Sequence, residues 1–194
     1  MSGRLRWAHG SESEPVFPIG ASSAGLSDFM HRLRGRARPL LYDVGPARGT
    51  NIVSFAGQGL KVYVDAERDH RITGSAPDRL SMADESLDAA LLWDLLDFLP
   101  TERAKPFVVD LARAMKPGGL VFLLSSAARS DGPAPVFTYF VEDGSHLVAR
   151  PIAGTLATRI ARENRDLLKL FDGFDNVSMH LLRSRMREIV LRRR

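Results

Sequence analysis

An aspartate closes the short apolar run Leu40-Leu41-Tyr42-Asp43-Val44, and Gly45-Pro46-Ala47-Arg48-Gly49 follows it. A second aspartate, Asp65, ends the next apolar run, twenty residues beyond the first glycine. A glycine turn lets a ligand approach the backbone, and amides at the start of a following helix favour electronegative groups. A carboxylate at a strand end accepts both hydrogens of a ribose diol. Together these residues predict a nucleoside-containing ligand across the carboxyl ends of parallel strands. Asp43 either reaches that ligand or braces the turn. Trp93-Asp94 ends a later apolar run. Its indole could stack on a flat ligand or fill the core, and its carboxylate is a candidate base. Ser125-Ser126 offers hydroxyls for a substrate or for a plain polar turn.

Other chemistries lack their residues. The five histidines, His9, His31, His70, His146 and His180, have no metal-ligand spacing, so no metal is expected, and only His146 and His180 are candidates to reach a cleft. Cysteine is absent, which excludes disulfides, thiolate metal sites and cysteine nucleophiles. Asp69-His70 has no accompanying nucleophile elbow and suggests no triad.

The elements that must position these residues read as alternating strands and helices. Residues 1–24 are expected to form a flexible N-terminal arm, with Val16-Phe17-Pro18-Ile19 its only docking group, and residues 25–194 a single domain. Ser27 is expected to cap a helix carrying Phe29, Met30 and Leu33. The run ending at Asp43, a helix capped by Thr50 or Asn51, and Leu60-Lys61-Val62-Tyr63-Val64-Asp65 make a βαβ unit. Residues 66–85 are poor in apolar side chains, so the next helix and strand are hard to find. Ser86–Asp94 is a buried strand. Thr101–Met115 reads as a helix with Phe107, Val108, Leu111 and Met115 on one face, and Lys116-Pro117-Gly118-Gly119 stops it before the apolar strand Leu120–Leu124. A hairpin turning at Asp143-Gly144, a helix over 158–171 and a closing strand pair at 177–182 and 187–191 complete the chain.

Composition sets outer bounds. The chain has 194 residues, 44% hydrophobic and 26% charged, as in ordinary globular proteins. No stretch approaches a membrane span and the first thirty residues hold no apolar signal core, so a cytoplasmic protein is expected. The net charge is +4, and lysine occurs only at Lys61, Lys105, Lys116 and Lys169. Arginines cluster at Arg4–Arg6, Arg32–Arg38 and Arg183–Arg194, where they could meet an acidic partner. No aromatic signature for nucleic acid accompanies them.

Leu41-Tyr42-Asp43-Val44-Gly45-Pro46-Ala47-Arg48-Gly49 resembles motif I of class I S-adenosylmethionine-dependent methyltransferases, with Ala47 at the central glycine. Asp65 falls at that family's ribose-binding acid. Ser86–Pro100 resembles its fourth-strand segment, and Ala112–Val121 its proline-glycine-glycine turn into the fifth strand. The matches keep the family's order over residues 40 to 125. The resemblance implies an α/β, Rossmann-like, mostly parallel seven-stranded sheet whose third strand is short or missing, with an antiparallel closing strand pair and an added β-hairpin. It implies S-adenosylmethionine as cofactor, S-adenosylhomocysteine as product, and methyl transfer to a small-molecule or protein acceptor. By position, Asp43, Gly45, Pro46, Ala47, Gly49, Asp65, Ser75 and Trp93 would contact the cofactor. Ser75 or Asp78 would stand nearest to the missing adenine-binding acid, and Trp93-Asp94 would face the methyl-transfer side. No catalytic residue is named, because displacement at a sulfonium methyl needs alignment more than acid or base. Residues 126–158 are the expected place for substrate selection. The departures at Ala47, Arg48 and 66–85 keep a second reading in play, a catalytically degenerate binding or scaffold module. A nicotinamide-dependent oxidoreductase is disfavoured, because the turn reads Gly-x-x-x-Gly.

Overall fold

The computed structural model describes residues 21–64, 69–77 and 79–194. In chain order the elements are β1 (Ala21–Ser22), α1 (Ala24–Leu33), β2 (Leu40–Asp43), α2 (Gly49–Gly57), β3 (Lys61–Val64), α3 (His70–Thr73), β4 (Leu87–Trp93), α4 (Thr101–Ala114), β5 (Met115–Ser126), β6 (Gly132–Val141), β7 (His146–Arg159), α5 (Asn164–Leu170), β8 (Phe174–Leu181) and β9 (Met186–Arg193). A single 3₁₀ turn, Leu95–Asp97, follows β4.

A six-stranded sheet runs in the order β3-β2-β4-β5-β9-β8. Its first four strands are parallel, and β9 and β8 pair antiparallel. The third strand left short or missing by the sequence has no counterpart among the described residues. The one-turn helix α3 stands in that part of the chain.

Side chains alternate across the strands, so neighbouring residues feed opposite faces. On one face Leu92, Val121 and Ile189 pack with Phe107 and Leu111 of α4 and with Leu167 of α5. On the other, Leu91, Phe122 and Val190 pack with Phe29 of α1, Phe55 of α2 and Tyr139 of β6. Burial on both faces explains the continuous apolar runs Ala89–Trp93 in β4 and Leu120–Leu124 in β5.

The hairpin β6–β7 is antiparallel and forms a second sheet with β1, Ala21 facing Leu147 and Ser22 facing His146. Its turn is closed by Asp143 Oδ1, which accepts from the amides of Ser145 (3.0 Å) and His146 (2.9 Å). Gly144 at the tip has φ +80°, and a Cβ there would lie 2.6 Å from the Gln58 side chain, so the tip is pressed against the end of α2.

Several expected boundaries move. Of the expected arm, residues 1–20 lie outside the described residues, while 21–24 belong to β1 and the start of α1. Ser23, not Ser27, caps α1: its Oγ accepts from the Leu26 amide at 3.0 Å. Neither Thr50 nor Asn51 caps α2, whose N-cap is Arg48 without a side-chain bond. Pro100, not Thr101, stands at the N-cap of α4. Residues 158–163 do not start a helix: β7 continues to Arg159 because it pairs with β6, and α5 begins only at Asn164.

Candidate functional site

The carboxyl end of β2 lies between the ends of β3 and β4. The Val44 amide continues the ladder by donating to Leu91 O at 3.0 Å. The chain then turns at Gly45, whose φ of +123° favours glycine, and enters α2 at Gly49. A Cβ built at Gly45 or Gly49 meets no atom of the described residues within 4 Å. Ala47 is exposed and is not among the residues with positive φ, so its methyl group strains nothing.

Behind the turn Asp43 is almost fully buried and accepts a hydrogen bond from Trp93 Nε1 at 2.7 Å. Burial pushes its carboxyl up to about 6, against the pull of the Trp93 and Asn51 hydrogen bonds and of Arg48 and Arg71. Trp93 itself sits at φ +48°, a conformation costing a bulky residue about 1 to 2 kcal/mol. That kink at the strand end swings the indole toward Asp43 and lays it flat on the Tyr139 ring, centroids 5.3 Å apart and planes 8° apart.

Tyr139 Oη donates to Asp94 Oδ2 at 2.8 Å. Arg71 Nη1 donates to Asp94 Oδ1 at 2.8 Å and to Phe137 O at 2.5 Å. The same guanidinium meets Asp69 through Nε (2.8 Å) and Nη2 (2.6 Å) and lies 5.8 Å from the Tyr139 ring centre. Arg71 thus joins α3, β4 and β6 in one buried ion-pair group. Asn51 fastens the hairpin to α2: its Nδ2 donates to Tyr139 O (3.1 Å) and its Oδ1 accepts from the Val141 amide (2.9 Å). Arg48 Nη2 reaches Thr138 Oγ1 at 3.4 Å.

A cleft enclosing about 340 Å³, its open mouth included, lies beyond Tyr139 between the 3₁₀ turn and the hairpin. Asp94, Asp97, Ser126, Phe137, Tyr139 and Arg159 are among its lining residues. Asp97 is buried and accepts from Ser125 Oγ (2.8 Å) and the Ser126 amide (2.6 Å). Desolvation, with Asp94 nearby, pushes its carboxyl up to about 7 while those bonds and Arg187 pull it down. Arg187 Nη2 donates to Ser125 Oγ at 2.7 Å, and Arg162 Nη2 to Leu99 O at 2.6 Å, so both cations are held by the turns around Asp97.

No sequence-family model matches the chain, and no curated protein sequence does. Solved structures do. An S-adenosylmethionine-dependent methyltransferase from Mesorhizobium loti covers 86% of this chain and 96% of its own at 13% identity, with a TM-score of 0.57. The fold is that of the class I S-adenosylmethionine-dependent methyltransferases. A 1,6-didemethyltoxoflavin N1-methyltransferase from Burkholderia thailandensis, solved with its substrate and S-adenosylhomocysteine, covers 88% of this chain and 78% of its own (15% identity, TM-score 0.56). An S-adenosylmethionine-bound amino pentose methyltransferase from Micromonospora echinaspora covers 88% and 89% (16% identity, TM-score 0.53).

On this methyltransferase fold, Asp43, Gly45, Pro46, Ala47, Gly49 and Trp93 come together at the carboxyl ends of β2 and β4. Asp65 and Asp78 lie outside the described residues. Ser75 is exposed, its hydroxyl 2.8 Å from Thr73 Oγ1, and no bond ties it to the Asp43–Asp94 group. Asp94 is held between Arg71 and Tyr139. His146 pairs with Asp143 in the hairpin turn (2.8 Å), and His180 lies opposite Glu188 on β8. Ser125 and Ser126 hold Asp97. Sequence reasoning missed Asn51, Arg71, Asp97 and Tyr139. One signal was readable: Asp94 and Asp97 interrupt the apolar run Leu91–Leu99, where an acid has to be buried and partnered. No group of metal-ligating side chains occurs among the described residues, and none of their helices is long and apolar enough to cross a membrane.

Proposed function

We propose that the protein transfers a methyl group from S-adenosylmethionine to an acceptor, and that the nucleoside part of the cofactor lies over the Gly45–Gly49 turn. The observation that carries this reading is a positive-φ glycine turn at the carboxyl end of a parallel strand, with no described atom within 4 Å of a Cβ built on Gly45 or Gly49, in a fold shared with methyltransferases. The residues present fit the cofactor. Gly45, Pro46, Ala47 and Gly49 would pass beneath it, Asp65 would accept from its ribose, and the Arg48 guanidinium would take its carboxylate. Bound there, the cofactor supplies an electrophilic methyl on a sulfonium. The chain's own contribution is alignment. The Trp93–Asp43 bond fixes the turn, and the Arg71–Asp94–Tyr139 group fixes the wall beside it. Asp94, held through both oxygens, orients Arg71 and Tyr139.

A second reading, a non-catalytic binding module, is favoured by the same group: Trp93 caps Asp43, and the hairpin is fastened across the end of α2. Calorimetry with S-adenosylhomocysteine separates the two. Saturable one-site binding is expected for the methyltransferase. Asp65→Ala weakens it by about 1 to 3 kcal/mol, the scale of hydrogen bonds to a charged group. Absence of heat at millimolar ligand selects the binding module.

A further inference from the structure

β7 has a partner along one edge only. It runs from His146 to Arg159, and β6 pairs with it from Leu147 to Arg159 across one bulge, whereas β1 pairs only with His146 and Leu147. Beyond Leu147 no described strand stands on the β1 side. The bonds at the hairpin end fix which residues look toward that side. The Ser23 amide donates to Ser145 O at 2.7 Å, and across the hairpin the Glu142 amide donates to His146 O at 3.1 Å. Backbone groups alternate along an antiparallel strand, so Leu147, Ala149 and Pro151 turn their polar groups away from β6. The outer edge of β6 keeps the same alternation, with Tyr139 O and the Val141 amide held by Asn51. Ala149 is 2% exposed, and no described residue bonds its amide or carbonyl on the β1 side. A buried strand edge needs a partner.

The residues just before β1 suit that place. Ala21 stands opposite Leu147 and Ser22 opposite His146. The same antiparallel register carried backward sets Gly20 opposite Val148, Ile19 opposite Ala149, Pro18 opposite Arg150 and Phe17 opposite Pro151. Ile19 then falls where a strand exchanges both hydrogen bonds with Ala149. Pro18 falls where an N–H would point away from β7, so its missing donor costs nothing. Pro15 falls opposite Ala153, at a position that has to donate, so the ladder stops before it. Phe17 and Ile19 share a face with Leu147 and Ala149, the face from which Tyr139 and Val141 also enter the core. A slip of one residue would put Pro18 in a donating position and turn both apolar side chains to the other face.

We infer that residues 17–20 continue β1 along the open edge of β7, and that Phe17 and Ile19 close the core face of the hairpin behind Tyr139. The hairpin lays Tyr139 on Trp93 and offers Phe137 O to Arg71, so this strap holds one wall of the Gly45–Gly49 turn from its far side. The strand itself does not rest on the methyltransferase reading.

The test exploits the absence of cysteine from the full chain. Pro18→Cys with Arg150→Cys puts two thiols at a non-hydrogen-bonded pair, where Cβ atoms lie about 4.5 Å apart and a disulfide fits. Air oxidation is expected to bridge them within one chain at least about tenfold faster than Phe17→Cys with Arg150→Cys, whose side chains point to opposite faces. Amide hydrogen exchange gives a second reading that needs no thiol. Ile19→Pro, which cannot donate to Ala149 O, is expected to speed exchange of the Ala149 amide at least about tenfold. Gly20→Pro, at a position whose N–H points away from β7, is expected to leave it unchanged. Equal bridging rates at the two cysteine pairs overturn the proposal, as does an Ala149 amide that exchanges alike in the two proline variants. A covalent dimer in place of the internal bridge overturns it too, and gives the edge to a second copy of the chain.

Discussion

The two halves of the sheet are built on different terms. Around β4, β5 and β9 both faces are covered, and Leu91, Leu92, Phe122, Leu123, Ile189 and Val190 are fully buried. Around β3 and α2 cover is thin: β3 alternates exposed and half-buried residues, and α2 buries only Asn51 and Phe55. Val53 stands largely in solvent, and Ile72 and Tyr63 are partly exposed. The ligand turn belongs to the thin half. Its order comes from polar ties that reach over from the thick half and the hairpin: Trp93 to Asp43, Arg71 to Asp94, Asn51 to the β6 backbone. Stability is concentrated in one half, and the segments that would meet a ligand in the other. Such division is expected where loops must open and close around a small molecule.

The sharpest way to break this comparison is to cut the tie that carries charge. Arg71→Met leaves Asp69 and Asp94 buried without their cation, and should cost about 3 to 5 kcal/mol in urea unfolding although it lies in the thin half. Apolar deletions should follow the cover instead. Leu92→Ala is expected to cost about 2 to 5 kcal/mol, and Val53→Ala less than about 0.5 kcal/mol. Comparable losses at the two positions would mean that the halves are equally packed.

The buried carboxyls sharpen the comparison through pH. Asp43 and Asp97 hold their protons more tightly folded, at about 6 and about 7, than at the unfolded value of 3.8. Between about pH 4 and 7 the native state therefore carries more protons than the unfolded chain, and stability falls as pH rises through that window. Asp28, Asp69 and Asp110 shift the other way, so their contribution is lost only as pH drops below about 4. The urea midpoint should thus be higher at pH 5 than at pH 8. Asp43→Asn, which keeps an acceptor for Trp93 Nε1, should narrow the corresponding free-energy difference by about 1 to 1.5 kcal/mol. A midpoint that rises toward pH 8 would contradict the burial argument.

Much of the frame was legible because its signals are local. The glycine turn after Asp43 and the apolar runs Ala89–Trp93 and Leu120–Leu124 each announce an element within a few residues, whereas Pro117-Gly118-Gly119, read as the stop before the strand, lies within β5, which starts at Met115. Trp93 could be placed at a strand end, but not its kink toward Asp43, which depends on a partner fifty residues away. Arg71 was hidden in a segment without periodicity, and its role is set by three elements meeting. Residues 150–157 carry no strand signal of their own and 158–159 read as the start of a helix, because only pairing with β6 makes this half of β7 a strand, and pairing partners leave no local trace. Fold was therefore readable from short patterns, whereas the site is assembled by contacts between segments far apart in sequence.

The central claim, a nucleoside seated over the Gly45–Gly49 turn, is tested most directly by hydrogen–deuterium exchange with and without S-adenosylhomocysteine. The account predicts slowed exchange in the turn, in the first turn of α2 and in the segment after Val64, with β8 and β9 unchanged. Protection that spares the turn, or exchange unaltered at saturating ligand, would contradict it.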